Sequence, residues 1–131
     1  ERAFADVEQS RLTWHGRLEA PVVAELYAHA DLYVWPGFGE AYGMAYLEAQ
    51  AGGSAVVAQN TKGIPSVVQH GSTGLLTPEN DVQAYRNAIA NLIEEPDRLV
   101  DLGKAASRFV RRERSVEMAS ASLKKSLEPL I

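Results

Sequence analysis

The chain has no cysteine, so it can form neither disulfides nor thiolate metal sites, and nothing in it points to an oxidising compartment. No apolar run approaches the ~20 residues a membrane-spanning helix needs, and the amino end lacks the charged-then-apolar pattern of a signal peptide. Internal repeats and low-complexity tracts are absent as well. Positive charge is in short supply: 13 basic against 17 acidic residues leave a net charge of -4. That balance argues against a surface built to grip the phosphate backbone of nucleic acid. A nucleotide needs only a few local donors, so a small anionic ligand stays open. The expected setting is cytoplasmic, with no nucleic-acid partner and nothing in support of peripheral membrane contact.

What is present suffices for one folded domain. With 131 residues, 46% of them hydrophobic and 23% charged, the chain can bury a core of ordinary size. Short β-rich runs alternate with longer helical patterns, which is the signature of an α/β fold. Leu12 to Trp14 reads as a short strand closed by Gly16. Pro21 opens a helix running to Ala30, with Val22, Leu26 and Ala30 along one face. Leu32 to Trp35 is a second short strand, stopped by Pro36. A helix from about Tyr42 to Ala51 follows, with Met44, Leu47 and Ala51 at helical spacing, and Gly52-Gly53 ends it. Ala55 to Ala58 is apolar without alternation, as expected of a parallel strand buried on both faces.

Beyond a short helix near Val67-Val68 and the turn His70-Gly71-Ser72, Gly74 to Leu76 reads as a fourth strand. Asp81 is an N-cap candidate for a helix carrying Val82, Tyr85, Ile89 and Leu92, and helices over about 97–112 and 116–127 complete the chain. The expected architecture is a Rossmann-like open parallel sheet with flanking helices, its α/β core at 11–95 and helices at 96–131, binding ligand beyond the carboxyl ends of the strands. Four strands are few for such a domain. Together with a first residue, Glu1, that is not Met, the count gives the expectation that upstream units are missing and that the fragment self-associates through its unpaired sheet edge.

The stretch from Pro36 to Ala49 carries the chemistry. A strand ends, the glycine-rich turn Gly37-Phe38-Gly39 follows, and a helix begins. The amides at a helix start are unpaired and sit at the positive end of its dipole, so a pyrophosphate can rest there without a lysine. Gly43 removes a side chain where phosphate would need to approach the backbone. Glu40 stands in the turn and Glu48 within the helix, and two carboxylates suit a ligand with two diol-bearing sugars around a pyrophosphate. On spacing alone the pair reads more readily as a turn carboxylate and a solvated helix residue.

The stretch resembles the signature of family 4 glycosyltransferases: a proline-containing strand end, a glutamate, a Phe-Gly-like pair, and a second glutamate after seven intervening residues. Here Glu40-Ala41-Tyr42-Gly43-Met44 through Glu48-Ala49 follows it. Further likenesses are His15-Gly16-Arg17-Leu18, Ala30-Asp31-Leu32 and Gly71-Ser72-Thr73-Gly74-Leu75-Leu76, covering roughly residues 11 to 110. The resemblance implies the carboxy-terminal, donor-binding part of a two-domain GT-B enzyme that transfers a hexose with retention from a UDP- or GDP-linked sugar, without a required cofactor or metal. It implies that Glu40, the catalytic candidate, holds hydroxyls of the transferred sugar and Glu48 those of the ribose. Backbone groups of Gly39, Tyr42, Gly43 and Met44 would face the distal phosphate and sugar, and Leu18 the base. The acceptor site would come from a missing N-terminal domain, and the basic pair on the pyrophosphate from upstream of residue 1. The fragment alone is expected to be inactive.

The sequence departs from the family pattern at Ala55, where proline is usual, at Lys62, where glycine is common, and at Ser66, where glutamate often follows Ile64-Pro65. An epimerase or phosphorylase of the same fold, or a non-catalytic nucleotide-binding module, would share these features. His15, His29 and His70 have no metal-ligand spacing. Arg108, Arg111, Arg112 and Arg114 read as a solvated helix face, and Tyr42 and Tyr46 as packing residues.

Overall fold

The computed structural model describes residues 2–130. Short 3-10 turns at Arg2–Phe4 and Gln9–Arg11 lead into α1 (Ala20–His29), β1 (Leu32–Val34), α2 (Met44–Gly52) and β2 (Ala55–Gln59). A 3-10 turn at Ile64–Ser66 precedes β3 (Gly74–Thr77), then α3 (Val82–Glu94), α4 (Pro96–Glu113) and α5 (Val116–Leu127), with a final 3-10 turn at Glu128–Leu130. The three strands form one parallel sheet in the order β1-β2-β3, Tyr33 opposite Val56 and Val57 opposite Leu75. This is the open parallel sheet with flanking helices that the alternation predicts.

The unalternated run Ala55–Gln59 is the central strand and is buried throughout. Its period of two sends Val56 and Ala58 to one face, among Tyr46, Leu47, Ile64, Val67 and Val68. Ala55 and Val57 go to the other, among Leu75, Leu92 and Leu102. Full burial of a valine side chain stabilises by about 1.5–3 kcal/mol, so Val56 and Val57 anchor both layers. α3 and α4 cover the second face, and α4 reaches the turn after α2 closely enough that a Cβ on Gly103 would overlap the Gly53 carbonyl.

Two expectations are corrected. Leu12 to Trp14 is not a strand: among the described residues β1 pairs with β2 alone, and a segment without a ladder partner is only an open chain. The inward face of α1 is Val23, Tyr27 and Ala30, while Val22 and Leu26 are exposed at 44% and 37%. Two apolar stripes overlap on this helix, and packing selects the second. Ser54 Oγ donates to the carbonyls of Tyr27 at 3.1 Å and Ala30 at 2.9 Å, and a Cβ on Gly52 would lie 2.8 Å from the Tyr27 carbonyl carbon. α2 is turned in the same way, burying Tyr46, Leu47, Ala49 and Gln50 and leaving Met44 57% exposed. It begins two residues later than the spacing predicts and ends as predicted, with Gly53 in the left-handed region.

Candidate functional site

The turn between β1 and α2 is shaped by three glycines at positive φ: Gly37 at 92°, Gly39 at 80° and Gly43 at 100°. They differ in what surrounds them. A side chain on Gly37 would overlap Ile64, and one on Gly43 would press on the Tyr46 ring at 2.7 Å and on Val67 at 3.1 Å. The space left by Gly43 is therefore filled by the protein, and the glycine is required by the fold rather than by a visiting phosphate. Gly39 is the one that faces open space, with nothing within 4 Å of where its Cβ would be. The Glu40 amide donates to the Gly37 carbonyl at 3.1 Å and closes the turn, leaving its carboxylate half-buried at the turn's end.

Gly43 is the N-cap of α2 and has no side chain with which to cap it. The first-turn amides of Met44 and Ala45 consequently lack both an intrahelical partner and a side-chain cap. Tyr46 holds this helix start to the sheet: its hydroxyl donates to the Trp35 carbonyl at 2.8 Å and the residue is fully buried. The packing role expected for Tyr46 is what the structure shows.

Glu48 lies about one turn further along α2. It is exposed and lines a cavity of about 660 Å³ with Leu18, Val23, Ala24, Tyr27 and Gly52. Glu48 and Leu18, thirty residues apart in sequence, thus share one wall system, mostly apolar, with the Glu48 carboxylate and Tyr27 among its lining. Glu40 does not line this cavity. The side chains of Tyr42 and Met44 line a different groove, against Arg114, Val116 and Met118 of the α4–α5 junction.

A row of tyrosines runs between the two carboxylates. Tyr27 and Tyr33 meet edge-on with centroids 5.6 Å apart, as do Tyr33 and Tyr46 at 5.7 Å. Burial first, and then the Glu48 charge, push the Tyr27 phenol up, against a hydrogen bond with Tyr33 that lowers it. Burial also raises Tyr33 and Tyr46, and the Glu40 charge contributes to both after the neighbouring tyrosines. Glu48 therefore acts on one end of the row and Glu40 on the other. Of the cavity lining the sequence reading had only Leu18 and Glu48; the spacing of Val23 and Tyr27 was the available signal for the rest, masked by the parallel stripe of Val22 and Leu26. Among the described residues no group of three His, Asp or Glu side chains is close enough to hold a metal ion.

Residues 8–109 match the family described as glycosyl transferases group 1. The chain belongs to this family. Among relatives of the group 1 chain is the D-inositol 3-phosphate glycosyltransferase of Thermobispora bispora, 37% identical over 100 residues, covering 73% of this chain and 23% of the relative. The enzyme of the same name from Pseudarthrobacter chlorophenolicus is 39% identical over 88 residues, 67% of this chain and 21% of its own length. This group 1 chain thus spans less than a quarter of these relatives. Of solved structures, sucrose-phosphate synthase from Thermosynechococcus elongatus superposes with a TM-score of 0.78 at 28% identity, over 93% of this chain and 31% of the other. Anabaena HepE in complex with UDP gives 0.79 at 25% identity, over 92% and 33%. The same fold in these GT-B glycosyltransferases accords with the open parallel sheet described above.

Proposed function

We propose that this chain is the donor-binding portion of a retaining, family 4 glycosyltransferase that moves a hexose from a nucleoside diphosphate sugar to an acceptor. One observation carries the reading: Glu48 and Leu18 line a single cavity, and Glu48 stands on the helix whose first turn is left uncapped. The apolar walls of Leu18, Val23 and Tyr27 receive the nucleoside, and Glu48 accepts from the two ribose hydroxyls. From Glu48 to Met44 is about 6 Å of helix, which carries the diphosphate to the first-turn amides. Glu40, in the turn ahead of that helix, holds hydroxyls of the hexose, and Gly39 leaves room beside it.

In the reaction the bond from the anomeric carbon to the distal phosphate oxygen breaks, the acceptor hydroxyl oxygen takes its place on the same face of the sugar, and the hydroxyl proton passes to the departing diphosphate. Negative charge grows on the leaving diphosphate. The Gly43, Met44 and Ala45 amides face that charge with their positive dipole end, so no cofactor or metal is assigned. UDP and UDP-glucose in the HepE structures favour a uridine donor over a guanosine one. Acceptor recognition falls to a domain outside this chain, and the 131 residues alone are expected to show no transferase activity.

The test is calorimetric titration of UDP, GDP, ADP and their hexose derivatives in buffer without divalent metal, on the protein and on Glu48→Ala. One nucleotide sugar is expected to bind, and to bind at least tenfold more weakly to the variant, because a hydrogen bond to a charged group contributes about 1.5–3 kcal/mol. Equal affinity in both proteins, or no binding of any nucleotide, would sink the reading.

A further inference from the structure

The segment Gly63 to Val67 packs against the β1–α2 turn at three places. A Cβ on Gly63 would lie 2.5 Å from the Ala41 carbonyl oxygen and 3.2 Å from Tyr42 Cα, so two stretches of backbone meet there. Val67 Cγ2 lies 3.1 Å from the place of a Cβ on Gly43. The Val67 carbonyl also accepts from Gln50 Nε2 of α2 at 2.8 Å. Within the segment, Ile64 is fully buried and the Ser66 amide donates to the Gly63 carbonyl at 3.0 Å, so the piece is a small rigid bracket for the turn.

A side chain from the far end of the chain grips this bracket. Arg114 Nη2 donates to the Ser66 carbonyl at 2.8 Å, a contact across 48 residues. The same guanidinium lies over the ring of Phe109 at 5.2 Å, and Nη1 donates to the Glu113 carbonyl at 3.2 Å. Phe109 is 6% exposed, so the arginine is braced against the core. Arg114 shares with Tyr42 and Met44 the walls of the groove between the start of α2 and the start of α5. Arg114 is exposed, as are Arg108, Arg111 and Arg112, in keeping with a solvated basic face, and it differs from them in donating across the fold to the Ser66 carbonyl.

We propose that Arg114 is a positioning residue of the candidate site: by holding the Ser66 carbonyl it keeps Gly63–Val67 pressed on Ala41–Gly43, and so fixes Glu40 and the first-turn amides of α2 relative to the Glu48 cavity. Arg114 touches no ligand in this arrangement and acts through backbone. A guanidinium is suited to the task because it stacks on an aromatic face while its planar donors reach two carbonyls. The consequence for ligand binding rests on the donor-site reading above; the consequence for the turn does not.

The test uses Arg114→Met, which keeps an apolar stem over Phe109 and removes the donors, and Arg114→Lys, which restores one. Amide hydrogen exchange in the ligand-free protein is expected to quicken severalfold across residues 37–47 in the methionine variant, to return toward the starting rate in the lysine variant, and to stay unchanged in β2. Unchanged exchange across 37–47, or equal quickening in β2, overturns the proposal. Calorimetry then compares UMP, confined to the Glu48 cavity, with UDP-glucose, which extends to the turn. The methionine variant should lose affinity for UDP-glucose and keep it for UMP; equal losses for both would overturn the role in ligand placement. A starting protein that binds neither nucleotide would end the donor-site reading, while the exchange rates would still decide whether Arg114 holds the turn.

Discussion

α2 and α3 both begin soon after the chain leaves a strand, and they begin differently. At the start of α3 the Asp81 side chain accepts from the Ala84 amide at 2.8 Å, and at the start of α5 Ser115 does the same for Met118 at 3.3 Å. α2 starts at Gly43 with no side-chain cap. Such caps contribute about 1 kcal/mol each. α1 and α4 also start without a side-chain cap but carry a proline in the first turn, whereas α2 has neither and is held by other means: Tyr46 and Leu47 packed inward, and the Tyr46 hydroxyl bonded to the Trp35 carbonyl at 2.8 Å. α3 has the matching strut, Tyr85 donating to the Val57 carbonyl at 3.1 Å, and keeps its cap as well. Both helices leave their first two amides without a partner; the difference is confined to the third, which bonds the Gly43 carbonyl on α2 and the Asp81 carboxylate on α3.

The largest effect should come from filling the bare end. Gly43→Ala places a Cβ on the Tyr46 ring at a φ of 100°. Backbone strain of about 1–3 kcal/mol adds to overpacking of about 1–3 kcal/mol, and chemical denaturation should read their sum as lost stability. Stability equal to the parent would break the claim that this glycine serves the fold.

Alkaline pH tests the two struts together. Burial pushes Tyr85 up to about 12 from an ordinary value of 10.0, and raises Tyr33 and Tyr46 as well. A phenol with a folded-state pKa above its unfolded value binds its proton more tightly when folded. Its stabilisation is complete below pH 10 and is lost as the pH climbs toward 12. Denaturation midpoints should therefore hold level up to about pH 10 and fall beyond it; a flat profile through that window would show that the phenols are not held.

Asp81→Ala is expected to cost about 1 kcal/mol of stability and to leave nucleotide affinity unchanged, since α3 contributes no residue to the Glu48 cavity. Altered nucleotide affinity would blur the contrast between the two helix starts. The smallest effect belongs to Lys62, which sits at a φ of 49° where the resembled family commonly has glycine. Lys62→Gly relieves a left-handed backbone and should raise the thermal midpoint slightly, a gain of about 1 kcal/mol or less.

Elements set by local chemistry were legible in the sequence. The Ala55 run declared a central strand because both faces are apolar, Asp81 declared a helix start because its carboxylate reaches an amide three residues on, and Gly53 declared a helix end. The parallel sheet with flanking helices followed from the alternation of elements. Elements set by partners were not legible. Leu12 to Trp14 has strand composition and no neighbour to pair with. The face that α1 turns inward is decided by Ser54 and Gly52, more than twenty residues away. In the candidate site, Glu48 and Leu18 line one cavity, while Tyr27 beside them and the grip of Arg114 depend on contacts that no spacing rule announces.

α1 lines the cavity beside Glu48, yet none of its residues is fully buried. It is held on by Ser54, by the close approach at Gly52 and by the edge-on contact of Tyr27 with Tyr33, while the sheet and the opposite layer close without it. The wall that would choose among nucleosides is thus a part of the fold whose alteration endangers folding less than a change in the central strand. Exchanges at Ala20, Val23 and Ala24 give such a scaffold an adjustable jaw, so that divergence in ligand choice can proceed while the central strand stays as it is.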